Sequence, residues 1–370
     1  MIWRASLVGA RARSLFARPG YRGRVLAVVS DAVYLEGDDG EITWIAGEGL
    51  PAHTRGVLAA FEPRSLSAGA GFSVQGPNLR IGDDGAINLG DAAEWRPPAL
   101  EPGQAAALAI VRGSSRQLLT AAQQLADGKG LGRIIPILAA IAQSSDAGLP
   151  AGNALQGADP LLVHASGHLS VIARACIKGD VASAARAGKA LVGLGPGLTP
   201  AGDDFLGGLL FVARHLAATY PAALQWEQWP ARELLAWART RTNRISHAIL
   251  GDMAEGHGPE PLHDLVISLL RGQDVNRLLP EAGRLTGIGH SSGWDILAGA
   301  LTGTFLIEGD SQLRTAPAPQ SSFPAAAARA SSLNWICPSC STATPAALAS
   351  DSAPSASLSP ATAAMAARPI

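Results

Sequence analysis

The sequence predicts an α+β protein: a small N-terminal β-barrel or sandwich-like domain, then a larger mostly helical domain, then a disordered C-terminal tail. Three observations carry this. Short β-branched runs punctuated by tight turns fill the N-terminal quarter of the 370 residues. Alanine- and leucine-rich stretches with a period near 3.6 follow them. The end of the chain is alanine, serine and proline with few large apolar groups, which cannot offset the entropy of ordering. The expected boundaries are 1–97, 98–310 and 311–370.

The β region reads from about Tyr21 to Trp95. "GRVLAVVSDAVYLEG" and "EITWIAG" flank Asp38, Asp39 and Gly40, a hairpin signal. "GFSVQGPNLRIGDDGAINLG" repeats the design with Asp83, Asp84 and Gly85 at the turn. Residues 1–20 carry Arg4, Arg11, Arg13 and Arg18 and no apolar core, so they read as an ordinary basic first segment and not as a secretory signal. "RPPALEPG", with adjacent prolines, is a linker. Helices are expected at the segment beginning "QAAALAIVRG" and over 133–143, 160–178, 181–191, 199–219, 231–253, 261–271 and 292–307.

Composition narrows the function classes. With 47% hydrophobic residues, 16% charged residues and a net charge of −1, the chain has no basic excess for a phosphate backbone, so nucleic acid is not an expected partner. No apolar run is read as reaching the ~18–20 residues of a membrane span. Three cysteines, Cys176, Cys337 and Cys340, are too few for a disulfide framework and fit a cytoplasmic location. Cys337 and Cys340 form a lone CxxC in the tail, read as two reduced thiols. His164 and His168 stand at i, i+4 without a third ligand, so no metal site is assigned there.

The chemistry concentrates in "GLGPGLTPAGDDFLGGLLF", residues 193–211, with six glycines, two prolines and adjacent aspartates in nineteen positions. Thr199 is expected to cap a helix with Pro200 at its first position. Asp203 and Asp204 then fall in the first turn, where carboxylates complement the macrodipole. A glycine loop feeding a helix N-terminus is an anion-binding arrangement. The ending is not that of a Walker A loop. A second copy, "SGWDILAGAL", echoes "AGDDFLGGLL" at a constant offset of 91 (Gly293 less Gly202), aligning Asp295 with Asp204 and Gly299 with Gly208. It follows the polar turn "TGIGHSS", in which Ser291 or Ser292 is a candidate cap.

Both N-termini are therefore expected to face one pocket. Gly195, Gly197, Thr199 and Gly202 would supply donors to a phosphoryl or carboxylate group. Asp204 and Asp295, with Asp203 beside them, could instead coordinate a Mg²⁺ ion. His290, Ser291, Ser292 and Gly293 would form the other wall, with His290 as acid/base. Between the copies, "TRTNRISHAILGDMAEGHG" offers Thr242, Ser246, Arg241 and Arg244 as anion ligands or as parts of an ordinary amphipathic helix. The catalytic candidates are Asp204, Asp295 and His290. Separation of the helix starts by more than roughly 15 Å would remove the idea.

The three motifs "GLGPGLTPAGDDFLGGLL", "TRTNRISHAILGDMAEG" and "GHSSGWDILAGAL", in this order, resemble the AllH-like family, formerly a domain of unknown function. The resemblance covers about residues 5–310, and the tail from Ser311 has no counterpart. It implies a subunit associated with oxamate carbamoyltransferase in anaerobic allantoin degradation, hence purine metabolism. In the family, activity belongs to an assembly of different subunits that moves a carbamoyl group between oxamate and phosphate. The implied partners are other subunits of a carbamoyltransferase complex. The implied ligands are small anions: carbamoyl phosphate, oxamate or a related carboxylate. Familiar carbamoyltransferases differ in fold and use arginine-rich phosphate sites, which are not evident here. The rival readings are a metal-dependent helical hydrolase, with Mg²⁺ held by the paired aspartates, and a non-catalytic assembly or regulatory subunit.

Overall fold

The computed structural model describes residues 2–83, 85–125, 128–143 and 159–308. They fall within one compact unit, Met1–Ala316. The expected disordered tail and its CxxC lie outside the described residues.

Nine strands come first: β1 (Ile2–Gly9), β2 (Arg22–Val28), β3 (Ala32–Gly37), β4 (Ile42–Ala46), β5 (Gly56–Ala59), β6 (Gly71–Gln75), β7 (Asn78–Ile81), β8 (Gly85–Asn88) and β9 (Ala93–Trp95). The first eight close a barrel in the order β1-β5-β4-β3-β2-β6-β7-β8, because β1 pairs antiparallel with β5 on one side and parallel with β8 on the other. Closure removes the free edges that strands otherwise expose. On the β8 side, Leu7, Val8 and Gly9 continue the ladder with β9. Val8, Val25, Val33, Leu35, Ile45 and Leu79 are among the inward residues that fill the barrel. Both predicted hairpin turns join antiparallel strands, β3 to β4 and β7 to β8. Gly40 takes a positive φ of 80° at the first, a conformation open to glycine at no steric cost.

The β region begins earlier than Tyr21. Residues 1–20 hold β1 and a short helix, α1 (Ala10–Phe16), which buries Leu15 and Phe16. Arg13 donates to the carbonyls of Leu89 and Ala92, Arg11 pairs with Glu41 and Asp252, and Arg18 pairs with Asp39.

The helical part contains α2 (Leu108–Ala122), a 3-10 turn (Gly130–Ile134) leading into α3 (Ile135–Gln143), α4 (Pro160–Ile177), α5 (Val181–Gly188), α6 (Ala201–Thr219), α7 (Gln228–Ala238), α8 (Arg244–Ala254), α9 (Glu260–Leu270), α10 (Val275–Thr286) and α11 (Ser292–Thr304). α6 is the central element, buried at every position from Ala201 to Ala213. The helix expected over 231–253 is two. The amides of Arg241 and Thr242 both return to the Ala238 carbonyl, and Asn243 restarts the chain as α8 by accepting from the Ser246 amide at 3.0 Å. α10 was not expected, because Pro280 interrupts its pattern. α4 also corrects the reading that no run is long enough for a membrane: its 18 residues reach a mean hydropathy of 1.2. Leu162, Ala165, Leu169, Ile172 and Cys176 put one side of it into the helical core.

The barrel meets the helices through charge. Arg55 and Asp252, 4% and 1% exposed, form an ion pair in which the Arg55 Nη2 lies 2.7 Å from Asp252 Oδ1. Arg55 also donates to Glu41 and to the Ile42 carbonyl at 2.9 Å. A cleft of about 730 Å³ opens beside this network, between the barrel and α8.

Candidate functional site

Two glycines bring α6 and α11 together. A Cβ on Gly208 would lie 2.2 Å from the Ile296 carbonyl oxygen, and a Cβ on Gly299 would lie 1.8 Å from that of Phe205. Gly299 less Gly208 and Ile296 less Phe205 are both 91, so each helix uses the equivalent glycine against the equivalent carbonyl of the other. That reciprocity is the signature of a two-fold relation. Gly208 faces Ile296 and Ala300, while Gly303, further on, faces Leu209 and Val212. The helices therefore run parallel and both begin at the same end.

The duplication extends upstream, into "LVGLG" (191–195) and "LTGIG" (285–289). Leu194 N donates to Leu191 O at 3.0 Å, and Ile288 N to Leu285 O at 3.1 Å. Gly202 N returns to Leu194 O at 2.9 Å, and Gly293 N to Ile288 O at 3.0 Å. A Cβ on Gly202 would stand 1.9 Å from Leu191 O, and one on Gly293 1.9 Å from Leu285 O. Each loop is thus held tightly under its own helix start. Here the offset is 94 (285 less 191), against 91 within the helices, so the first loop is three residues longer.

At the shared end, Thr199 Oγ1 lies 2.9 Å from Ser292 Oγ, far inside the 15 Å limit. Thr199 does not cap α6. Pro200 occupies the cap position in extended conformation with no side-chain cap bond, which frees the Thr199 hydroxyl for Ser292. Beneath the hydroxyls lie Asp204 and Asp295, 4% and 0% exposed. Asp295 Oδ1 accepts from the Leu131 amide at 2.6 Å. Its Oδ2, like Asp204 Oδ2, has no hydrogen-bond partner. Burial holds the Asp204 carboxyl well above the usual carboxylate range, the neighbouring Asp295 carboxyl adds to this, and the Ser292 and Thr199 hydroxyls act against it. Burial likewise pushes Asp295 up to about 7, against the Leu131 amide and the Ser291 hydroxyl. Two buried acids with uncommitted oxygens therefore sit side by side, and burial favours the protonated form of each. Such orphan oxygens are rare in native proteins and call for an explanation.

Asp203 differs from its neighbour. Its Oδ1 accepts from the Gly193 amide at 2.8 Å, and its Oδ2 from the Ser246 hydroxyl at 2.7 Å and from the Thr242 hydroxyl. The structure brings Thr242 and Ser246 to Asp203 and not to the Asp204/Asp295 centre, so this trio ties the first loop to α8. Arg241 stacks on Trp237 at 3.3 Å from the ring centroid, and Arg244 pairs with Glu36. Both arginines proposed for an anion are engaged elsewhere. Gly195 and Gly197 take positive φ angles of 116° and 95°, in a loop that is exposed at Pro196 and Gly197. His290 is exposed and Ser291 half-buried in the second loop.

The loop over Asp295 was not recognised from sequence. Gly130, at φ 52°, leaves only 2.3 Å between a would-be Cβ and Asp295 Oδ1, and Gly132 packs under Trp294. "GKGLG" (128–132), three glycines in five positions before a helix, is the signal that would have found it. Beside it, a cleft of about 380 Å³ is lined by Gln123, Arg133 and Trp294 among others. Neither this cleft nor the one at α8 is lined by the two aspartates. Among the described residues, no group of three or more His, Cys, Asp and Glu is placed to hold a metal ion.

Residues 191–304 match the family model described as oxamate carbamoyltransferase subunit AllH. The match runs from the turn at Leu191 to the end of α11 and takes in all three motifs, so the resemblance read from them holds over this stretch. It is narrower than residues 5–310 and does not include the barrel. No curated protein and no solved structure matches the chain.

Proposed function

We propose that this chain is a subunit of a carbamoyl-transfer enzyme of the oxamate carbamoyltransferase kind, working with other subunits in the cytoplasm. In this reading it holds a small anion, carbamoyl phosphate or a carboxylate such as oxamate, where α6 and α11 begin. The observation that carries the reading is the 2.9 Å contact of Thr199 with Ser292. It joins two helix N-termini whose first-turn amides and hydroxyls are suited to negative charge. Burial disfavours the charged form of Asp204, which lessens the repulsion an anion would meet there. Thr199, Ser291, Ser292 and the backbone near Gly195 and Gly197 would bind the anionic end, and preorganised donors of this kind stabilise charge developing in group transfer.

The test is calorimetric titration of the full chain with carbamoyl phosphate and oxamate, in the wild type and in a Thr199→Ala/Ser292→Ala double variant. The expected result is saturable binding that weakens at least about tenfold in the variant, which loses hydrogen bonds to a charged group. Binding that survives the double substitution unchanged would place the anion elsewhere. The orphan oxygens of Asp204 and Asp295 also favour a second reading, a Mg²⁺-dependent hydrolase. Thermal stabilisation by Mg²⁺ alone, lost in Asp204→Asn, would favour it.

A further inference from the structure

α4 joins an apolar composition to an uncovered face. It is long and apolar enough to cross a membrane, yet only 39% of it is buried. Its exposed positions include Val163, His164, Gly167, Val171 and Arg174, with Lys178 just past its end. They form one stripe at steps of three and four residues. Val163 and Val171 are 53% and 54% exposed. Between them, a Cβ on Gly167 would meet nothing within 4 Å, so no contact within the chain calls for glycine there. An interior glycine weakens a helix. On an outer face its bare backbone lets a second helix approach closely, as Gly208 and Gly299 do inside the chain.

The apolar part of the stripe reads the same in both directions, because Val163 and Val171 each stand four residues from Gly167. Its charges do not. Asp159 stands at the N-terminal end, where its Oδ1 caps the helix at the Leu161 amide and its Oδ2 lies 3.8 Å from Arg133. Arg174 and Lys178 stand at the other end, with no ion-pair partner among the described residues. We propose that α4 is the interface of a homodimer, in which two copies of the helix pack antiparallel across a two-fold axis at Gly167. Such an axis requires a self-complementary patch, and the stripe supplies one. Each Val163 meets the partner's Val171, and the two glycines meet at the axis. At 1.5 Å per residue, Asp159 (8 residues from Gly167) lies about 12 Å along the helix from the axis, between the partner's Arg174 (7 residues) at about 10 Å and the partner's Lys178 (11 residues) at about 16 Å. Parallel pairing would set like charges against each other, and the opposed macrodipoles also favour the antiparallel pair. The proposal does not depend on the ligand reading above.

The experiment measures the mass of the full chain by sedimentation equilibrium over a concentration series. The face of one helix is smaller than the ~800 Å² per partner of a standard interface, so the dimer is expected to be weak. The weight-average mass should rise from 37.8 kDa towards twice that value as concentration increases. Gly167→Gln obstructs the close approach without meeting the chain's own atoms at its Cβ. It should therefore weaken association at least about tenfold, with no fall in melting temperature. Gly167→Cys should cross-link to its copy under mild oxidation, beyond the wild-type background from the native cysteines. Lys178→Cys should not, because the two copies of that position stand about 33 Å apart in the antiparallel pair. A chain that stays monomeric, or a dimer that Gly167→Gln leaves unchanged, would overturn the proposal. Equal cross-linking at both positions would do the same, since it marks parallel pairing. Flotation of the chain with phosphatidylglycerol vesicles in place of self-association would also overturn it, with a membrane as the occupant of the face.

Discussion

Gly208→Ala adds one methyl group where the structure leaves no room. The new Cβ would lie 2.2 Å from the Ile296 carbonyl oxygen. Opening that contact to 3.0 Å, below which real Cβ contacts essentially never occur, requires a shift of at least 0.8 Å (3.0 less 2.2). The obstacle is backbone, so no rotamer change relieves it, and α6 must move from α11. Overpacking of this kind costs about 3 kcal/mol or more at the unyielding end of its range. Alanine's better helix propensity returns nearly 1 kcal/mol, leaving a net destabilisation of about 2 kcal/mol. Gly251 is also interior to a helix, α8, and a Cβ there meets nothing within 4 Å. Gly251→Ala should therefore stabilise by about 0.5–1 kcal/mol. In thermal melts, at about 2–4 °C per kcal/mol for chains of this size class, the first variant falls by about 4–8 °C and the second rises by about 1–4 °C. Shifts of the same sign in both variants would refute the backbone contact. Because Gly208 and Gly299 open the same interface, the Gly208→Ala/Gly299→Ala double variant should lose less than the sum of the singles.

Protonation should oppose folding at acid pH through a histidine cluster between barrel and helices. His53 is lowered to about 4 and His263 to about 3, in each case chiefly by burial, with Asp252 opposing the shift at His53 and with Arg55, Arg11 and the other histidines reinforcing it. Both rings stay neutral when folded and charge on unfolding below about 6.5, so the melting temperature should decline as pH falls from about 6.5 towards 4. Asp204 and Asp295 act with the opposite sign, because their folded pKa values are raised. Their contribution is complete below about 4, and that of Asp295 is lost as pH rises through about 7; an Asp204→Asn/Asp295→Asn variant should lack the loss at rising pH while keeping the acid decline. Asp252→Ala strands Arg55 in a buried position and should cost about 3–5 kcal/mol by urea denaturation. Asp203→Asn turns an acceptor towards hydroxyl and amide donors and should cost about 1–3 kcal/mol, whereas Asp204→Asn should be neutral or stabilising at pH 8; equal effects from these two neighbours would refute the distinction between them.

The fold was legible where local rules act alone. Asp38, Asp39 and Gly40 announced a hairpin because turn geometry demands residues of those types. The helices announced themselves by period and, at α9, by proline at the start. β1 was hidden because its arginine and serine break the apolar run, and its place is set by partners from β5, β8 and β9 that are far away in sequence. The break at 239–243 escaped notice because every residue there tolerates a helix, and Asn243 decides the matter only once its side chain finds the Ser246 amide. At the site, the 91-residue repeat gave the pairing of α6 with α11. It did not reveal that "LVGLG" and "LTGIG" are one construction, since a three-residue difference shifts the alignment. Nor could it separate Asp203 from Asp204. The two have the same residue type and the same helical turn, yet one faces α8 with three donors and the other faces Asp295 with its Oδ2 unpartnered. That difference comes from the 100° step between successive helical positions, and it takes physical meaning only when the neighbours are in place.

The balance of symmetry and asymmetry bears on what kind of ligand fits. The glycine contacts obey the two-fold relation residue for residue, so the helix cores place Asp204 and Asp295 as equivalents. A ligand bound by symmetry alone, such as a single cation on the axis, would need nothing more than those carboxylates. The walls above them break the relation. The first loop is three residues longer and presents Thr199, whose 91-shifted counterpart is His290, while Ser292 corresponds to Ala201. A buried pair of acceptors on the axis and unlike donors off it suit a molecule with two chemically different ends. Carbamoyl phosphate and oxamate are such molecules, with an amide at one end and an anion at the other. A symmetric dication bridge would leave the unequal loops without a role, which is why titration with carbamoyl phosphate and oxamate is a sharper experiment than a search for metal.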